Sequence, residues 1–201
     1  MDKKIRKKRL ITAFIILGSL LALLGIAYVV LSIIASGEID YGYEFYEPDW
    51  QCDIIQDEEY LEQGWHITYT NDLGESVAIL DDDYLKFGIG VDYLSYYFAA
   101  IQSGDHEVYN GLFGEEYFKK NDPVEPFTPQ RIYDINIRFL NEEKIDDENF
   151  IINYEIEYKI MRNDGTFRRD IGSDMSRTQF IALKVTKDDM FISAMSSVFA
   201  K

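Results

Sequence analysis

Acid–base or nucleophilic chemistry in this chain has few residues to draw on: two histidines, His66 and His106, and one cysteine, Cys52. A general base needs a group to orient it and a substrate within hydrogen-bond reach. His106 directly follows Asp105, a residue type that caps helices, so an exposed first-turn position is its expected place. His66 lies between Trp65 and Ile67, at the polar position of an alternating stretch. Ser95 and Ser103 have no G-x-S-x-G elbow around them. Gly88-Ile89-Gly90 lacks the third glycine of a dinucleotide loop, and there is no Walker-type phosphate loop. A single cysteine excludes an intramolecular disulfide framework and a cysteine-based zinc site. Sequence alone therefore assigns no catalytic, cofactor-binding or metal-binding residue.

Charge is the other chemistry on offer. Hard oxygen ligands suit calcium, but neither Asp81-Asp82-Asp83 nor Asp146-Asp147-Glu148-Asn149 has the alternating spacing of a calcium loop. Both read as solvated loop ends. Between Lys159 and Lys187 lie seven basic residues, Arg162, Arg168, Arg169, Arg177 and Lys184 included, against three aspartates. That basic island is either a set of cross-strand and edge-protecting charges or a docking surface for an acidic partner. Cys52 has no partner in the chain, so it is either a free thiol or an intermolecular bridge.

The segments that must carry these residues are set by hydropathy and charge. The chain has 201 residues, 20 Lys+Arg and 36 Asp+Glu, for a net charge of −16. Such a balance argues against non-specific nucleic-acid binding, which needs clustered cations against phosphate. Residues 1–9 hold six basic residues, and Leu10 to Gly37 is a run of 28 residues without any charge. As a helix that run is ~42 Å long, enough to cross a ~30 Å hydrocarbon core. A cleavable leader has an apolar run of about 7–15 residues. The reading is therefore an uncleaved transmembrane helix over 10–36, although Ala35-Ser36-Gly37 has the form of a cleavage site. All flanking Lys and Arg lie on its N-terminal side, so residues 1–9 are expected in the cytoplasm and the C-terminal part outside it. Gly18, Ala22 and Gly25 form a small-residue stripe on which a second helix could pack. Residues 37–85 read as an acidic, tyrosine-rich stem. Residues 38–85 alone contain fifteen carboxylates and no Lys or Arg. A short hairpin is expected near its end, from Ile67 and Tyr69 to Val77 and Ile79.

From about residue 86 the period becomes helical. Val91, Leu94, Phe98 and Ile101 share one face, Gly104 is a stop and Asp105 a new cap. A second short helix is expected to bury Val108, Leu112 and Phe113, broken by Gly111 and Gly114. The three prolines of NDPVEPFTPQ demand a loop. Then the period drops to two: Tyr133 to Phe139, Phe150 to Ile160, Gln179 to Val185 and Met190 to Phe199. Asn163-Asp164-Gly165 predicts a tight hairpin between the second and third of these. Helices followed by an antiparallel meander with one apolar face make an α+β domain of two layers.

The order YYFAAIQSGD, VYNGLF, YFKKN, FTPQ and long strands resembles the nuclear-transport-factor-2-like (cystatin-like) superfamily over residues 88–201. The resemblance implies a cone-like domain, 86–201, in which a curved sheet wraps the helices. With a basic tail and one span, the layout is similar to bitopic assembly components of bacterial conjugation and type IV secretion machines. It implies a non-enzymatic interaction or scaffold domain, bound to the lipid bilayer by its anchor and to a protein partner or further copies of itself. A small-ligand module using the mouth of the cone is the alternative, with a hydrolase or isomerase behind it.

Overall fold

The computed structural model describes residues 58–63, 66–80 and 83–197. The expected span 10–36 with Gly18, Ala22 and Gly25, the tail 1–9 and Cys52 lie outside the described residues. Among those described, no helix is long and apolar enough to cross a membrane.

The described residues form an α+β fold. A short helix α1 (Glu58–Gln63) precedes strands β1 (Ile67–Thr70) and β2 (Ser76–Ala78). Helices α2 (Ile89–Ser103), α3 (His106–Gly111) and α4 (Glu115–Phe118) follow, then strands β3 (Arg131–Lys144), β4 (Phe150–Met161), β5 (Gln179–Val185) and β6 (Met190–Ser197). The six strands make one sheet in the order β2-β1-β3-β4-β5-β6. β3 to β6 are the antiparallel meander expected from the period-two runs. β1 and β2 are the expected hairpin, in the register Tyr69↔Val77, closed by Asn71, whose side chain accepts from the Leu73 and Glu75 amides. That hairpin is hydrogen-bonded into the sheet, because β1 runs parallel to β3 in the register Ile67↔Ile135.

Helix α2 forms where its apolar stripe requires it. Val91, Leu94, Tyr97, Phe98 and Ile101 are all buried against the sheet. Gly104 ends the helix in the left-handed region at φ 70°, and its hydrogen in place of a Cβ lets the Pro129 loop approach. A Cβ at Gly104 would stand 2.6 Å from the Pro129 nitrogen. Gly90 serves the same end against β4, where the Tyr154 ring occupies the space a side chain would take. Asp105 caps α3, accepting from the Val108 amide at 2.9 Å.

Two expectations fail. Val108 is 49% exposed, and Tyr109 takes the buried place beside Leu112 and Phe113. The helix there is only six residues long, so one aromatic ring facing Tyr97 and Phe167 decides its rotation. The tight hairpin at Asn163-Asp164-Gly165 is absent too. Gly165 does turn at φ 73°, but the next strand begins only at Gln179, leaving a long loop over 162–178 that touches β4 at isolated points, where the Asp174 amide donates to the Ile160 carbonyl (2.8 Å) and Ser176 bridges Lys159.

Candidate functional site

Four of the seven basic residues of the island, Arg162, Arg168, Arg169 and Arg177, fall on that loop. Its scaffold is Asn163, a fully buried amide. The Asn163 side chain donates to the carbonyls of Arg168 (2.8 Å) and Ile171 (2.9 Å) and accepts from the Gly165 amide (2.9 Å). Asp164 ties the loop to the proline segment through Thr128 and Gln130, and accepts from the Thr166 amide at 3.0 Å. Burial raises the Asp164 carboxyl, but these hydrogen bonds from Thr128, Thr166 and Gln130 outweigh it and hold it below its ordinary value.

Within this frame Arg168 and Arg177 converge on one carboxylate, Asp170. Arg168 grips it through two guanidinium nitrogens, and Arg177 Nη1 stands 3.4 Å from Oδ2. All three side chains are less than one-fifth exposed. Burial pushes the Asp170 carboxyl up, yet the Arg168 hydrogen bonds and charge, with Arg177 behind them, bring it below the usual carboxylate range. Arg169 donates to the Gly165 carbonyl at 3.2 Å and is otherwise exposed, as is Arg162, which holds the left-handed backbone at φ 48°. Of the lysines in the same island, Lys159 pairs with Asp134 (2.9 Å), Lys184 with Glu116 (2.8 Å) and Lys187 with Glu148 (3.4 Å). The island is thus brought together only in part, and much of its charge is paired inside the chain.

Beneath the loop lies a polar floor that sequence reasoning missed. The hydroxyl of Tyr158 is 3.5 Å from Arg168 Nη1, and that of Tyr97 is 3.5 Å from Gln179 Oε1. Tyr97, Tyr109, Tyr158 and Gln179 are each 2% exposed or less. Burial, first of all, drives the Tyr97 and Tyr109 phenols well above their ordinary value, so both stay protonated. Phe167 closes the arrangement from the loop side, packing on Tyr109 at 5.3 Å and Phe127 at 4.6 Å. The interior between sheet and helices is filled by rings. Its signal in sequence was only the tyrosine excess, because tyrosines read as core aromatics in any alternating pattern.

A second polar cluster sits at the β1–β3 end of the sheet. Tyr60 of α1 donates to Asp134 Oδ1 at 3.1 Å, and the His66 ring lies against Tyr60 with centroids 4.1 Å apart. Tyr133 donates to Asp174 at 3.0 Å. Asp134 and Asp174 both have positive φ, 50° and 59°, and Asp134 marks a bulge in the β3–β4 register. Burial pushes the Tyr60 hydroxyl up to about 12. A cleft of about 120 Å³ opens beside these rings.

The remaining sequence candidates have ordinary partners. Ser95 and Ser103 donate to the carbonyls of Asp92 and Ala100 in their own helix. Asp146 accepts from the Glu148 and Asn149 amides and so closes the β3–β4 turn. His106 is half-buried at the start of α3.

The sheet face turned away from α2 carries a groove of about 330 Å³. Leu140, Asn153, Phe180, Ala182, Ala194 and Ser196 line it. Strand register sets them in two rows, Asn141–Asn153–Ala182–Ala194 and Arg138–Glu155–Phe180–Ser196. Leu140 and Phe180 are 39% and 38% exposed, and Ala182 and Ala194 add small side chains to the same lining. No protein-family model matches the chain, and no curated protein matches it either.

Proposed function

We propose that this chain is a single-pass membrane protein whose C-terminal part, the domain expected over 86–201 together with the β1–β2 hairpin that joins its sheet, works outside the cytoplasm as a non-enzymatic interaction or scaffold module. It belongs with cell-envelope or secretion-type assemblies, and its domain is of the nuclear-transport-factor-2-like kind. One observation carries the interaction reading above the others. The polar groups held under the 162–178 loop pair with each other, Arg168 and Arg177 with Asp170 and Asn163 with the loop carbonyls, while the groove on the opposite sheet face has no covering element among the described residues. An interior packed with rings offers a ligand little room, whereas an open sheet face with exposed Leu140 and Phe180 offers a partner apolar area. The anchor rests on the uncharged run 10–37 and on the basic residues before it.

The ligand-binding alternative has one observation in its favour, the Tyr97–Tyr158–Arg168 floor under the 162–178 loop. A ligand there would have to displace Phe167 and break the Arg168–Asp170 pair. The two readings separate in intact membranes. The chain should resist extraction at alkaline pH, and site-specific photocrosslinkers on the sheet face should give discrete heavier bands. Extraction into the soluble fraction sinks the anchor; no adduct from any sheet-face position sinks the interaction reading.

A further inference from the structure

We infer that the occupant of the outer sheet-face groove is a second copy of this chain, packed face to face about a two-fold axis; this rests on the interaction reading above and names its partner. A two-fold contact is self-complementary, so knob and hole must lie in the same patch. They do here. Phe180 stands as an exposed ring one row from the pit lined by Ala182 and Ala194, and Leu140 borders the same groove. A two-fold operation seats the ring of each copy in the pit of the other. Packed sheets stand about 10 Å apart, a gap that a ring from one face and an alanine from the other can share.

Charge does not oppose contact between two copies at this patch. Residues 38–201 carry 35 acidic and 14 basic side chains, so two such ectodomains repel wherever their carboxylates meet. Of the eleven residues lining the groove only Glu143 is charged. On the neighbouring row Arg138 is neutralised by Glu155 at 3.4 Å. The alternative route to self-association, pairing along the free edge of β6, is obstructed at its middle. There Ile192 already exchanges hydrogen bonds with Leu112 (2.8 Å) and Gly114 (3.0 Å). The sheet face is a place where two identical acidic domains can meet with little repulsion.

The test uses the full chain in its own membrane. On a Cys52→Ser background, Ala194→Cys is treated with a short bis-maleimide, with Val77→Cys on the far edge strand β2 as the exposed control. A covalent dimer is expected at Ala194→Cys and not at Val77→Cys. Adding Phe180→Asp, which buries two carboxylates per dimer, should lower its yield at least about tenfold. Melting temperatures check that each variant is folded. If Phe180→Asp unfolds, Ala182→Trp, which fills the pit from the solvent side, takes its place. Equal crosslinking at Val77→Cys, or an adduct insensitive to Phe180→Asp and Ala182→Trp, overturns the proposal. A monomer at Ala194→Cys overturns it too. In that case a photocrosslinker at position 180 that captures a different protein leaves the interaction reading standing, and one that captures nothing removes both.

Discussion

Asp170 is where a single side chain holds two cations of the 162–178 loop together. Two guanidinium groups meet on its carboxylate in a site less than one-fifth exposed, and Arg168 is packed besides between that carboxylate and Tyr158. Removing one partner of a buried pair leaves the other charge uncompensated, which costs more than the intact pair contributes. Asp170→Asn keeps the shape and an acceptor oxygen but removes the charge, and should destabilise the domain by about 3 kcal/mol near neutral pH. The pH dependence has a definite sign. The folded carboxyl lies below its unfolded value, so its contribution is fully present above the unfolded pKa of about 4 and is lost as pH falls through the lowered folded value. Urea midpoints between pH 7 and pH 3 should therefore fall more steeply for the wild type than for Asp170→Asn below about pH 4. Some slope must survive in the variant, because Asp164 is held down in the same direction by Thr128, Thr166 and Gln130. Parallel midpoint curves would show that the pair is not a net source of stability. The basic island that looked like a docking surface in sequence is at this scale largely an internal brace.

The 162–178 loop is the element that separates what the sequence made legible from what it did not. Alternation in β4 and β5 was readable because every second residue from Ile152 to Ile160 and from Gln179 to Val185 is buried. The Asn163-Asp164-Gly165 signal was real as a local turn and misleading as topology. A tight hairpin needs the residues directly after the turn to pair back on β4, but here the Asn163 amide gathers the Arg168 and Ile171 carbonyls first, and contact with β4 resumes only at Asp174 and Ser176. Such side-chain-to-backbone competition leaves no trace in hydrophobic period. The bulge at Asp134 is equally silent, since its cause is the left-handed φ of one aspartate tied to Tyr60 and Lys159. Nor can a four-residue strand announce that it lies parallel to one more than sixty positions away, as β1 does with β3. The groove was illegible for the same reason: Phe180, Ala182 and Ala194 become neighbours only through the β5–β6 register. If Asn163 is the hub described, Asn163→Ala frees two carbonyls and an amide at once and should cost about 2–4 kcal/mol. Hydrogen exchange should then quicken over 163–178 well beyond the change in β3 and β4. A uniform rise across the sheet would mean the loop is no separate unit.

On the scale of the whole molecule the charge is arranged rather than merely negative. Six basic residues precede the uncharged run 10–37, and the fifteen carboxylates of 38–85 follow it with no Lys or Arg among them. Flanking Lys and Arg, not net charge, set the orientation of a single span, so the basic residues of 3–9 carry the topological information. Cys52, the one cysteine of the chain, lies fifteen residues beyond the end of that run and makes the orientation measurable without any added probe. In intact cells treated first with a reductant, a membrane-impermeant maleimide should label Cys52, and permeabilisation should add nothing. Replacing Lys3, Lys4, Arg6, Lys7, Lys8 and Arg9 with glutamine removes the bias, and a fraction of the molecules should then require permeabilisation to be labelled. Wild-type labelling that depends on permeabilisation would reverse the proposed topology. The same labelling with and without prior reductant separates a free thiol from a bridge. A thiol reacts in both arms, whereas a Cys52–Cys52 bond between two copies blocks reaction until it is reduced. A blocked thiol together with a dimer on a non-reducing gel would place the two stems side by side. That arrangement would hold the two domains at high effective concentration, favouring contact through the sheet face. A thiol labelled equally in both arms removes that tether and leaves the sheet face to support the dimer alone.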